Sequence, residues 1–147
     1  MGAFQLTLDI YKVDEEATKE AVEKYLLQAR EYKITEFIPI EPNMTAAYSD
    51  MPRSYTGLTS NHTCDIAIHN IDEQERRRKH VERVDKAINR LPQRQQTLIR
   101  ARYFENEDMW DYEAAEQIGY SDRHYRRIKT LAIYRLAMML GLMVFKE

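Results

Sequence analysis

Five side chains in the last quarter of the sequence repeat with the period of a helix face. Arg126, Arg127, Thr130 and Tyr134 follow Arg123 at distances of 3, 4, 7 and 11 residues, so a helix would carry all five on one side. Arginine in such a row suits an anionic partner, because its planar fork bonds guanine O6 and N7 in pairs, or two phosphate oxygens. On this reading Arg123 and Arg127 approach bases, and Arg126 and Lys129 approach phosphates. Ser121, Asp122 and His124, at the start of the same helix, are within reach of the same double-stranded DNA. Taken singly, each arginine is equally an ordinary solvated residue. The row as a whole carries more, because an apolar period runs along the opposite side of the same segment.

A helix that reads DNA must be held by a second element, and residues 112–137 supply one. Ala115 is small, as two closely crossing helices require. Four residues later Gly119 tolerates the positive φ of a tight turn. Ser121 can cap the following helix by accepting a bond from its first-turn amides. Tyr125, Ile128 and Ala132 then form a buried stripe facing Ala114 and Ile118, with the Tyr125 hydroxyl expected to find a partner at the rim. Together these features describe a helix-turn-helix, with helices predicted over 111–118 and 122–140.

Other chemistry is thin. His62, Cys64 and His69 match no standard zinc spacing. There is no Gly-rich phosphate loop and no argued nucleophile grouping. Neither an enzyme nor a cofactor is expected, and no metal. The 147 residues fit one domain, or one compact domain with an arm, and 44% hydrophobic with 31% charged residues reads as helix-rich. One cysteine, no long apolar run and no basic leader point to a reducing cytoplasm and no membrane. The net charge of −2 hides an asymmetry: residues 1–75 carry −8 and residues 76–147 carry +6. The basic half is the one expected to meet a polyanion.

The remaining elements follow from periodicity. Phe4, Leu6, Leu8 and Ile10 alternate like a short strand. Asp14 reads as the cap of a helix over 15–33, with Val22, Tyr25, Leu26, Ala29 and Tyr32 in one stripe and Glu15 and Glu16 in its first turn. Pro39, Pro42, Pro52 and Gly57, set among Asn, Ser and Thr, predict a long irregular connection. From residue 72 the helical period returns at Val81, Val84, Ile88 and Leu91, after the charged run Arg76–Lys79. Pro92 is placed at the first position of a helix over 93–104, and the acidic stretch 105–108 is a loop. The Leu136–Val144 run is either packing or a dimer seam. The expected organisation is mainly α: an N-terminal helical arm over 1–37, an irregular connection over 38–71 and a helix-turn-helix domain over 72–147.

The stretch Ile88–Leu140 resembles region four of bacterial sigma factors, with Leu91-Pro92 and Arg102-Tyr103 as the paired landmarks ahead of the helix-turn-helix. Over most of the chain the sequence is more similar still to the ArpU phage and prophage regulators. Asp14 and Thr18, Thr45 through Ser49, Arg53-Ser54-Tyr55 and Ala132 through Ala137 carry that similarity. The resemblance implies a sequence-specific regulator of phage late genes (packaging and lysis) in a bacterial cytoplasm, an activator contacting promoter DNA and bacterial RNA polymerase. The apolar seams add a homodimer as a further expected state. No segment resembles the promoter-melting region, so a complete sigma factor is not implied. The alternatives are a phage DNA-packaging component of the small-terminase kind and a polymerase-binding interaction module.

Overall fold

The computed structural model describes residues 12–42, 56–106 and 108–146, with side chains of 56–61 excepted. The strand-like residues 4–10 and the resemblance carried by 45–49 and 53–55 lie outside these. The described chain is mainly helical: α1 (Glu15–Ile34), α2 (Thr56–Asn89), α3 (Gln93–Ile99), a π-helical segment (Arg100–Glu105), α4 (Asp111–Ile118) and α5 (Asp122–Leu140).

α1 begins where the Asp14 side chain accepts a bond from the Ala17 amide at 3.1 Å, and Glu15 and Glu16 follow in the first turn. Its face of Thr18, Val22, Leu26 and Ala29 is buried. These side chains are not those of a detached arm. Val22, Leu26 and Ala29 share one core with Val84 and Ile88 of α2, Leu98 and Ile99 of α3, Tyr103, Ala114 and Ala115, and the apolar face of α5. Where α1 crosses α2, the His80 ring stacks on Tyr25 at 3.9 Å and meets Tyr32 edge-on at 5.4 Å, and Arg77 lies over Tyr32 at 5.1 Å.

The largest departure from expectation is α2. The connection predicted as irregular over 38–71 is helical from Thr56 onward, so a single helix of 34 residues, about 51 Å long, replaces half of it. The last of the three prolines, Pro52, precedes the helix. A 3-and-4 period is present but largely polar: Thr63, Ile66, Asn70, Glu73, Arg77 and His80 are the half-buried positions leading into buried Val84. A pattern carried by polar side chains leaves little hydrophobic signal to read. The Asn70 side chain binds the extended strap before it in both directions, accepting from Ile40 N at 2.9 Å and donating to Ile40 O at 3.0 Å. The charged run is a ladder within the helix: Arg76 and Arg77 bond Glu73, and Arg78 bonds both Glu75 and Glu82. The two arginines hold the Glu73 carboxyl down at about 2.

Two smaller differences follow. Pro92 occupies the cap position, with φ −55° and ψ 151°, and Gln93 is the first helical residue. The helix predicted over 93–104 changes to π geometry at Arg100, which places Ala101 and Tyr103 in the core. After α5, Gly141 turns the chain at φ 71°. Val144 then pairs with the start of α1: Asp14 N donates to Val144 O at 2.8 Å, and Val144 N donates to the Thr18 hydroxyl at 3.0 Å. Leu136, Ala137 and Leu140 are buried and Leu142 and Met143 pack against the common core, while Met138 of the same run is 57% exposed. Among the described residues no helix is long and apolar enough to cross a membrane.

Candidate nucleic-acid interface

α4 and α5 meet through a short turn whose chemistry is set by three residues. Ala115 is buried, and its carbonyl accepts the Tyr120 amide at 2.9 Å. Gly119 has φ 78°, a left-handed conformation that side chains with a Cβ adopt at a cost. The Ser121 hydroxyl accepts the His124 amide at 3.3 Å and so caps α5. Tyr125, Ile128, Ala132, Leu136 and Ala137 form the buried face of α5, while Ala114 and half-buried Ile118 face them from α4.

The opposite face of α5 is open. Arg123, Arg126, Arg127 and Thr130 are exposed and share one side, with Asp122 and Ser121 exposed at its start. His124 is half-buried, sets its ring edge-on to Tyr120 at 5.2 Å, and its Nδ1 lies 3.2 Å from an Arg127 guanidinium nitrogen. That contact restrains the fork of Arg127. Thr130 donates its hydroxyl proton to the Arg126 carbonyl at 2.9 Å, which leaves its methyl group and oxygen lone pair outward. Tyr134 is half-buried; burial first, then the neighbouring Glu15 carboxylate, push its phenol up to about 12.

Lys129 is not part of this surface. Its side chain is 9% exposed, and its ammonium lies 3.0 Å from both carboxylate oxygens of Asp111. The phosphate role expected for it is therefore corrected: Lys129 falls four residues after Tyr125 and three before Ala132, on the buried side of the helix. Asp111 also accepts from the Tyr125 hydroxyl at 2.8 Å and from Arg102 Nε at 2.9 Å. Burial pushes its carboxyl upward, but the bonds from Lys129, Tyr125 and Arg102 outweigh that and hold it below the usual range. Desolvation, with the bond to Asp111, pushes the Tyr125 phenol upward. This cluster ties the first residue of α4 to the middle of α5 and to the π segment, so it fixes the angle at which the exposed face is presented.

Sequence reasoning passed over that cluster and also two exposed aromatics ahead of it. Trp110 and Tyr112 are 65% and 63% exposed at the start of α4. The Trp110 amide donates to the Glu113 side chain at 3.2 Å. Trp110, Tyr112, Arg126, Thr130 and Tyr134 line a cleft of about 750 Å³ between the start of α1, the start of α4 and α5, which Glu15 and Glu16 close from the other side.

Compared with known proteins, the chain is 32% identical over 105 residues to an uncharacterized phage-related protein, Lin1259/Lin1739, of Listeria innocua, an overlap that covers 71% of this chain and 73% of that one. It is 29% identical over 103 residues to protein Gp66 of Listeria phage A118, covering 70% of each. No family model matches the sequence, and no solved structure matches it.

Proposed function

The chain belongs to the family of the phage-related Listeria protein Lin1259/Lin1739, and from that premise we propose that it is a sequence-specific DNA-binding regulator of phage late transcription. The α4–turn–α5 unit acts as a helix-turn-helix, with α5 entering the major groove. One observation supports this most: the exposed stripe of Arg123, Arg126, Arg127 and Thr130 lies on α5 opposite the residues that fix α5 to α4. A rigid helix with an arginine face on its free side has the geometry that groove reading demands.

In this role Arg123 and Arg127 reach base edges near the start of α5. The Ser121 hydroxyl proton, Asp122 and His124 lie at the same end. Phosphate contacts supply most of the affinity and make it fall with salt, whereas base contacts supply the choice of sequence. The role requires no bond-making chemistry. The likeness of Ile88–Leu140 to region four of sigma factors supports an activator working in the bacterial cytoplasm, with RNA polymerase as a second partner.

Selection from a pool of random duplex DNA at near-physiological salt tests the proposal. It predicts enrichment of one motif by the wild-type protein and loss of that enrichment in Arg123→Ala/Arg127→Ala. Retention without a motif favours the packaging reading, and no retention favours a polymerase-binding module. Either result overturns the proposal.

A further inference from the structure

We infer that the acidic first turn of α1 fences one flank of the reading helix, so that a DNA backbone is admitted on the Arg123 and Arg127 side and excluded from the α1 side. The inference rests on the DNA-reading role proposed above. Its basis is the cleft. Arg126, Thr130 and Tyr134 line the cleft from α5, Glu15 and Glu16 line it from α1, and Arg123 and Arg127 do not line it. The arginine stripe is thus divided along its length, with one flank facing carboxylates and the other facing solvent.

The carboxylates are held in place. The turn that carries both glutamates is capped by Asp14, and Asp14 is pinned to Val144 through its own amide. Of the other charges in the cleft, Lys19 lies 3.8 Å from Glu23, Asp111 is bound by Lys129 and Arg102, and Asp122 adds a third carboxylate from the start of α5. Carboxylates within a Debye length of a phosphate strand repel it. A backbone approaching over Arg126 meets them, and one approaching over Arg127 does not. Glu15 and Glu16 thereby become positioning residues for the DNA, setting the side on which α5 may be approached and weakening attachment through phosphates alone.

The test compares Glu15→Gln/Glu16→Gln with Glu20→Gln/Glu36→Gln, which makes the same change in net charge at two exposed positions that do not line this cleft. Glutamine keeps side-chain size and Asp14 keeps the cap, so the variant is expected to fold with a thermal melt only slightly lowered by the loss of first-turn negative charge. Binding to labelled random-sequence duplex is read by fluorescence anisotropy across a salt series. The fence predicts roughly three- to ten-fold tighter binding by Glu15→Gln/Glu16→Gln at low salt, converging on wild type as salt rises. The control pair is expected to stay near wild type. Equal tightening by both pairs, or none by the first, overturns the fence while leaving the DNA-reading role standing. Absence of binding by wild type and both variants overturns both.

Discussion

Replacing Asp111 with alanine costs the fold more than replacing Lys129 with methionine, although each substitution breaks the same ion pair. Lys129 is nearly buried, with 9% of its side chain exposed, whereas Asp111 is 47% exposed. Removing Asp111 leaves the Lys129 ammonium and the Tyr125 hydroxyl, both enclosed, without their acceptor, while Arg102 can turn to water. An unsatisfied buried donor costs about 1–3 kcal/mol. Breaking a fully buried pair costs about 3–5 kcal/mol, a figure to be discounted here for the half-exposed partner. The expected loss for Asp111→Ala is therefore about 2–4 kcal/mol. Lys129→Met places an apolar chain of similar length in an apolar setting and leaves a carboxylate still served by Arg102, Tyr125 and water, for a cost of about 1 kcal/mol or less. Urea unfolding followed by far-ultraviolet circular dichroism reads both, since Trp110 is too exposed to report faithfully on burial. The double variant should be more stable than Asp111→Ala alone, because it removes the orphaned ammonium. Lys129→Met should also keep the DNA affinity and salt slope of wild type. Equal costs for the two single variants, or strict additivity in the double variant, would refute the assignment of Lys129 as the enclosed and dependent partner.

Leu26→Ala should cost about 2–5 kcal/mol in the same urea assay, because Leu26 is 0% exposed in a core shared with α5; a loss under ~1 kcal/mol would mean that α1 is dispensable. Gly119→Ala should cost about 1–2 kcal/mol, since a Cβ there meets nothing within 4 Å and the whole cost is that of φ 78°; unchanged stability would dispute the left-handed turn. Ser121→Ala should lower stability by about 1 kcal/mol through loss of the cap, read as a shift in the urea midpoint. Asp111 titrates below its ordinary 3.8 in the folded protein, so its contribution is complete above that value and is lost as pH falls through the folded one. The stability gap between wild type and Asp111→Asn should therefore hold above about pH 5 and narrow as pH falls below about 4, and a widening gap would reverse the sign of the shift.

How much was legible beforehand depended on whether burial and hydropathy coincided. α1, α4 and α5 were readable to within a residue because Val22, Leu26, Ala114, Tyr125 and Ala132 are both apolar and buried. The caps at Asp14 and Ser121 and the turn at Gly119 were readable because side chains acting on their own backbone obey local rules. The first half of α2 was hidden because Thr63, Asn70 and Glu73 hold the face that meets the rest of the chain. Lys129 was misplaced because a charge outweighed position: the helix period set it with Tyr125 and Ala132, but its partner Asp111 stands 18 residues away. Lys33 meets Asp85 and Arg83 meets the Leu140 carbonyl across the fold, and no spacing in the sequence announces such meetings.

The staple between the two ends of this helical body bears on its motions. Asp14 donates to Val144, Lys146 donates to Lys12, and Thr18 both gives and receives a bond at Val144. Helices usually open by fraying from their last turn, and amides there exchange with solvent early. Here the last turn of α5 cannot lift without unpairing the first turn of α1, whose buried face lies in the common core. Opening at either place thus becomes one event rather than two. The amides at the end of α5 and the start of α1 are accordingly expected to exchange together.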